Sequence, residues 1–328
     1  MDLPVPIHDR KRSDEIDYIK SLLIILMIIF HLVYIGDKHP YLKAIVYTFH
    51  MSGFLMISGF LMNTKKDTKA VLNSLLWLFI PYAIMETGYV FMASILPIRE
   101  HIDILTPLLL VDKIFLHPIG PYWYLHTLII CYVIWYLIDR FAGECLAVSA
   151  FWVIIALYAL SHTGIISVDN ALYFMLGALI RQIGLRFDKV FYATIWVIIP
   201  LVVLCYFPSN LNRGTFAGIV ITYLAICFLL SLYPYLSQRA KRISQFVGRN
   251  TLPLLLFSPI FTLLSKPLVP VLSFDPTGLL FTAVAVVFTV MGSFTIAWLI
   301  DRSGLSRFFW GTREKFSWQG LELSSKSK

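Results

Sequence analysis

Apolar positions in this chain come in long unbroken blocks separated by short polar or charged stretches. The blocks fall at about 17–35, 44–62, 72–96, 121–139, 145–161, 169–184, 190–207, 214–233, 250–272 and 278–300. Most have the length that roughly 30 Å of hydrocarbon demands of a helix, and the sixth is short. The pattern predicts an all-α polytopic membrane protein: about ten transmembrane helices packed as one bundle. No long soluble insertion, low-complexity tract or repeat of 20–50 residues separates the blocks. Residues 98–120 form the longest connection; within it "ILTPLLLV" is too short to span and is expected to lie in the interface or re-enter.

Composition agrees with the pattern. Of 328 residues, 58% are hydrophobic and 14% charged, where a soluble domain carries about 25% charged residues. No water-soluble core absorbs so many apolar side chains. The four cysteines, Cys131, Cys145, Cys205 and Cys227, show no paired spacing, so neither a disulfide framework nor a metal site is suggested. A basic cluster at 10–12 precedes the first block without a small-residue cleavage pattern, so that block reads as a retained helix.

Charge sets the orientation. With the N-terminus in the cytoplasm, all but six of the 27 Lys and Arg fall on the inner side; the six are Lys38, Lys43, Arg99, Lys113, Arg213 and Lys266. That asymmetry is the positive-inside rule, and it places both termini inside. The net charge of +8 then reports orientation and contact with membrane lipids, not a nucleic-acid footprint.

Several polar residues stand where hydrocarbon disfavours them. In "EIDYIKSLLIILMIIFHL", Lys20 and His31 are eleven residues apart, so they share one helix face at about 16 Å separation, with Asp17 within about 40° of the same stripe. His50 and His126 enter their helices to a depth similar to His31. Glu86 is the sole carboxylate well inside any block, and an ionisable group at that depth faces a cavity or a partner. Each has a bland reading: polar glue between helices for the histidines, a snorkelling anchor for Lys20, an interhelical pair for Glu86. Ser52 and Gly59 share a face in the second block, so close helix approach is expected there, and Gly177 precedes Arg181 by one turn in the sixth. Arg181 serves topology or binds phosphate. "GRNTLP" at 248–253 offers Gly248, Asn250 and Thr251 as caps to a helix whose N-terminus welcomes an anion, with Arg249 adjacent. "PYWYLH" at 121–126 is an interfacial aromatic belt or a platform on which Trp123, Tyr124 and His126 meet a sugar.

Taken in order, these segments resemble the membrane-bound acyltransferase 3 family. "IDYIKSLLIILMIIFH" is similar to its opening helix, "FHMSGFLMISGFLM" to its second, "IPYAI" to the Pro-Tyr of its third, "PYWYL" to the start of its fourth, and "VGRNTLPLLLFSPIF" to a late segment. Lys20 stands where the family usually has arginine, Trp77 near a frequent helix-three arginine, Ser52 at a frequent proline, and Ser258 at the late histidine. The resemblance implies a ten-helix domain over residues 1–300; the mix of aromatic and basic residues after it reads as a cytoplasmic interfacial stretch and disordered tail at 301–328. It also implies transfer of an acyl group, mostly acetyl, from cytoplasmic acyl-CoA to a hydroxyl of an envelope glycan or its lipid-linked precursor in the bacterial cytoplasmic membrane. Acetyl-CoA is then a donor substrate, and no permanently bound cofactor or metal is expected.

Such chemistry needs a base for the hydroxyl proton, and neutral imidazole is the group best poised near pH 7, which selects His31. Glu86, or else His50 or His126, is expected to partner it. Lys20, Arg181, Arg249 and Asn250 are expected to hold acyl-CoA, and Trp123, Tyr124 and His126 the acceptor. The rival is a proton-coupled transporter or flippase, since buried His, Glu and Arg also mark proton relays; a scaffold that has lost its chemistry is a third reading.

Overall fold

A computed structural model describes residues 13–63, 67–96, 100–142 and 145–312. The basic cluster at 10–12, Lys65, Lys66, Arg99 and the tail from 313 onward lie outside the described residues, and so does their share of the charge asymmetry.

Among the described residues the chain is helical with no strand. In order the helices are α1 (Asp14–His31), α2 (Val33–Lys38), α3 (Pro40–Leu61), α4 (Thr68–Ile95), α5 (Pro107–Phe115), α6 (Trp123–Phe141), α7 (Leu146–His162), α8 (Val168–Gln182), α9 (Phe187–Val190), α10 (Ile198–Tyr206), α11 (Phe216–Leu232), α12 (Gln238–Arg249), α13 (Thr251–Leu264), α14 (Leu268–Leu272), α15 (Leu279–Arg302) and α16 (Ser306–Phe309). Five helical stretches are long and apolar enough to cross a membrane, or six if the bent pair α12–α13 counts as one span. Among the rest, α7 and α8 are shorter, and α1 carries Asp14, Glu15, Asp17 and Lys20 in its first two turns. The apolar block at 190–207 does not form one helix. It divides into α9, a 3-10 turn at Ile195–Val197 and α10; Pro200 fits the first turn of α10 but would remove a backbone bond from a continuous helix.

Burial separates inner helices from outer ones. The apolar window of α3 is 72% buried and that of α4 only 22%. In α1, Ile19, Leu23, Ile24 and Ile28 are inaccessible to solvent. Phe151, Trp152 and Ile154 of α7, and Val287 and Met291 of α15, are exposed. Apolar surface of that extent on outer helices belongs against lipid, so the chain is a membrane protein with α1 and α3 at its centre.

Two close crossings hold the centre. A Cβ at Gly59 would land on the Phe174 carbonyl, and one at Gly177 on the Met56 carbonyl, so α3 and α8 meet backbone to backbone. A Cβ at Gly248 would land on the Asp17 carbonyl, which seats α12 on α1. Between helices in lipid, where apolar burial supplies little drive, such close packing is a main source of cohesion.

The chain then bends by 82° between α12 and α13. Asn250 does not cap α13 as its position suggested: no side-chain cap bond forms at that N-terminus. Its Nδ2 donates instead to the Phe246 carbonyl at 2.9 Å, closing the end of α12, because the bend turns the orphan carbonyls of α12 toward it. After α15, Trp310 folds back and is buried edge-on to Phe257.

The His31 end of α1 is braced from the far side of the chain. Lys38 Nζ donates to the Pro276 carbonyl at 2.9 Å and His39 Nε2 to the Thr277 carbonyl at 3.1 Å. That turn is closed by Asp275, which accepts from the Thr277 hydroxyl at 2.6 Å and from Leu280 N–H at 2.8 Å. These donors hold the Asp275 carboxyl at about 2. A carboxylate depressed below its usual value of about 3.9 favours the folded turn above that value and loses the advantage only as pH falls toward 2.

Glycine at the α3–α8 crossing is therefore a requirement of distance. Gly177→Leu is expected to abolish a monodisperse peak in detergent gel filtration and Gly177→Ala to lower the thermal midpoint. Gly88→Ala, at a position with nothing within 4 Å of the added methyl, is expected to leave both unchanged or raise the midpoint slightly.

Candidate active site

A cavity of about 600 Å³ opens at the His31 end of the bundle, walled by α1, α3, the start of α6 and the 211–213 connection before α11. Its chemistry comes from six residues: His31, Tyr47, His50, Trp123, Asn212 and Arg213.

The two histidines are prepared in the same way. His31 Nδ1 lies 2.7 Å from the Met27 carbonyl, and His50 Nδ1 lies 2.7 Å from the Val46 carbonyl. A carbonyl only accepts, so each Nδ1 carries the proton and each Nε2 keeps its lone pair when the ring is neutral. His31 ends its helix and is exposed to the cavity; His50 is buried, and its Nε2 has no hydrogen-bond partner among the described residues. The Tyr47 ring stands between them, 6.4 Å from His31 and 5.1 Å from His50 by ring centroids. Its hydroxyl donates to the Phe30 carbonyl at 3.0 Å, tying α3 to the end of α1.

Across the cavity, the Arg213 guanidinium lies 5.6 Å above the Trp123 ring. Lys43 stands 5.7 Å over Tyr47 and pairs with Asp37 at 4.0 Å. The rim is thus aromatic and positive, with two acceptor nitrogens on its α1–α3 side.

Tyr47, Asn212 and Arg213 escaped the sequence reading as site residues. Tyr47 had a usable signal, since it precedes His50 by three positions and so shares its helix face. Arg213 had one too, as a cation assigned to the outer side against the charge gradient.

Glu86, Tyr124 and His126 fall elsewhere. The Glu86 Oε1 accepts from Ile119 N–H at 2.7 Å, and its other oxygen has no partner among the described residues. The carboxylate lines the cavity nowhere; the orienting bond expected of it at His31 comes from the Met27 carbonyl instead. His126 Nε2 donates to the Phe115 carbonyl at 2.9 Å. Tyr124 shares a 2.6 Å hydroxyl bond with Ser58. Tyr82 donates to the Ile114 carbonyl and Tyr122 to the Leu256 carbonyl, each at 2.8 Å. Glu100 accepts from Gly120 N–H at 2.6 Å. Together these bonds fix the 114–122 connection that delivers Trp123 to the cavity wall.

At the opposite end of α1 a charged cluster forms. Lys20 Nζ lies 3.6 Å from Asp17, and Arg249 reaches both Asp17 and Asp14 at 3.4 Å. Lys20 and Arg249 thus converge from two helices on a buried Asp17, with Asn250 next in the chain. An anion arriving there competes with two carboxylates already in place. Arg181 belongs to α8, its guanidinium 5.8 Å over the Phe60 ring. Residues 20 and 31 therefore place a cationic cluster and an imidazole at opposite ends of one inner helix.

This is an integral-membrane helical protein with a histidine-lined cavity at one end of its central helices. Residues 13–299 match the model of the acyltransferase 3 family, described as an acyltransferase domain, and the chain belongs to that family. No curated protein and no solved structure matches the chain. Membership makes it a membrane acyltransferase.

The placement of Glu86 generates a test. Glu86→Leu leaves the Ile119 N–H unpaired, which costs about 1–3 kcal/mol, and loosens the connection behind Trp123. The thermal midpoint is expected to fall and the KM for acceptor to rise with kcat little changed, while Glu86→Gln, which keeps an acceptor oxygen, restores most of both.

Proposed function

We propose that this protein transfers an acetyl group from acetyl-CoA to a hydroxyl of an envelope glycan or its lipid-linked precursor, with His31 as general base. The observation that carries the reading is the His31 imidazole, fixed by Met27 through Nδ1 and presenting Nε2 to a cavity large enough for a sugar ring. In the reaction the acceptor oxygen attacks the thioester carbonyl while its proton passes to His31 Nε2. The tetrahedral adduct then collapses, the C–S bond breaks, and the proton returns from the imidazolium to the departing CoA thiolate. The products are an O-acetyl ester and CoA, with His31 neutral again. His50 Nε2, buried beside the same cavity, is a second acceptor for the incoming hydroxyl. Trp123 offers its ring face to the sugar, whereas Tyr124 and His126 act behind it.

On this reading the Lys20 end faces the cytoplasm. Lys20, Arg249 and Asn250, together with Arg181, hold the CoA phosphates, and for the pantetheine arm to reach His31 the packed middle of α1 at Ile19, Leu23, Ile24 and Ile28 has to open. Ten spans then require α1, α7, α8, the broken α9–α10 segment and the bent α12–α13 pair to complete crossings around the five long helical stretches. The family domain occupies residues 13–299 of a protein in the bacterial cytoplasmic membrane, and residues 301–312 are not a disordered tail, since α16 follows α15 and Trp310 packs against Phe257 at the inner end.

Purified protein assayed with labelled acetyl-CoA and an envelope glycan extract tests the base. His31→Ala is expected to lose transfer by about 10²–10⁴-fold; full activity removes His31 from the mechanism, and uptake of glycan without CoA release supports a carrier instead. In the same assay Lys20→Ala is expected to raise the KM for acetyl-CoA about tenfold at unchanged kcat, and an unaltered KM refutes its donor role.

A further inference from the structure

The cavity holds a cation that acyl transfer to a neutral sugar does not require. Arg213 is half-buried in the cavity wall, and among the described residues no carboxylate lies within ion-pair distance of it. Asp169 of α8 packs against the neighbouring Gly214. The guanidinium lies in a connection between helices, half-open to the cavity, where it is placed to meet an anionic ligand.

The chain invests in holding it there. The Arg213 carbonyl accepts from the Tyr173 hydroxyl of α8 at 2.7 Å. The Asn212 side chain accepts from Gly214 N–H at 2.9 Å, and Thr215 caps α11 by accepting from Gly218 N–H at 3.1 Å. A Cβ at Gly218 would strike the Asn212 carbonyl and the Arg213 backbone, so α11 begins directly beneath the arginine. The guanidinium itself lies above Trp123, 5.6 Å from the ring centroid, an arrangement that leaves its in-plane N–H donors available.

Resting on the acyl-transfer reading, we propose that Arg213 binds an anionic group of the acceptor, so that the natural acceptor is an acidic molecule and not a neutral glycan. A planar fork of donors beside an aromatic face suits a sugar ring that carries a carboxylate or is joined to a phosphate. Trp123 takes the ring, Arg213 takes the anion, and the hydroxyl is left toward His31 and His50. The two sources of anion, a uronic-type carboxylate and the phosphate of a lipid carrier, present the same chemistry to the guanidinium.

Equilibrium titrations on the full chain in lipid nanodiscs separate them, with methyl glucuronide, methyl glucoside and inorganic pyrophosphate as probes. Wild-type protein is expected to bind at least one anionic probe about tenfold more tightly than the glucoside. Arg213→Met is expected to erase that difference, and Arg213→Lys, which keeps the charge but not the fork, to retain part of it. Preference for glucuronide assigns the carboxylate; preference for pyrophosphate assigns the phosphate. Equal binding of all three probes, or a preference that survives in a folded Arg213→Met protein, overturns the proposal. So does a fall in kcat for charged and neutral acceptors alike, which would make Arg213 an oxyanion group. CoA release by the wild type is read in parallel: its absence with the probe preference intact defeats the transfer reading and leaves the anion site standing.

Discussion

The contact between the backbones of α3 and α8 sets the distances on which the cavity depends. With Gly59 and Gly177 facing each other's carbonyl-bearing turns, the two helix axes approach closer than any side chain permits. α3 carries Tyr47 and His50, and α8 carries Tyr173, whose hydroxyl holds the Arg213 carbonyl. Widening the crossing by one methyl would move the histidine wall and the arginine wall apart together. Positioning at the level needed for chemistry is lost over about 1 Å, so glycines outside the cavity govern geometry inside it.

A second constraint runs along α1. Its first turns carry the Asp17–Lys20–Arg249 cluster, its middle is sealed by Ile19, Leu23, Ile24 and Ile28, and its last residue is His31. A helix of this composition has too many charges near one end to be held by hydropathy alone. It is held by neighbours: α12 through the Gly248 approach, α3 through Tyr47, and the 276–277 turn through Lys38 and His39 just beyond it. The polar residues of the first apolar block are therefore the reason that it is central, since a helix facing lipid could not carry them.

Hydropathy and charge made depth legible and direction illegible. The apolar blocks located nearly every long helix, and the close approach at Gly59 followed from small residues sharing a helix face, whereas the matching role of Gly177 emerges only from the packed pair. His31, His50 and His126 were placed at similar depth from sequence, yet His126 points to the Phe115 carbonyl while the other two reach the cavity. Glu86 was read as buried and is, but it serves the Ile119 amide in a connection 33 positions along the chain. Position along a span fixes one coordinate of a side chain. The azimuth depends on which helix packs alongside, and that is a long-range property that local periodicity does not encode. The same limit explains Asn250, which lies at a helix boundary as expected but closes the preceding helix because of the 82° bend.

Orientation also changes how the missing glutamate partner should be understood. In a triad an acid fixes the tautomer of the base and stabilises its cation. Here a main-chain carbonyl fixes the tautomer of both His31 and His50 and carries no charge with which to stabilise an imidazolium. A base so held lacks the counter-charge that a carboxylate supplies, and the charges that flank the cavity are the cations Lys43 and Arg213. On the proposed mechanism, such an arrangement favours a proton held only briefly and handed on to the thiolate as the C–S bond breaks. On the same reading, an acceptor that brings its own negative charge into the cavity offsets the two cations at the moment the imidazolium forms.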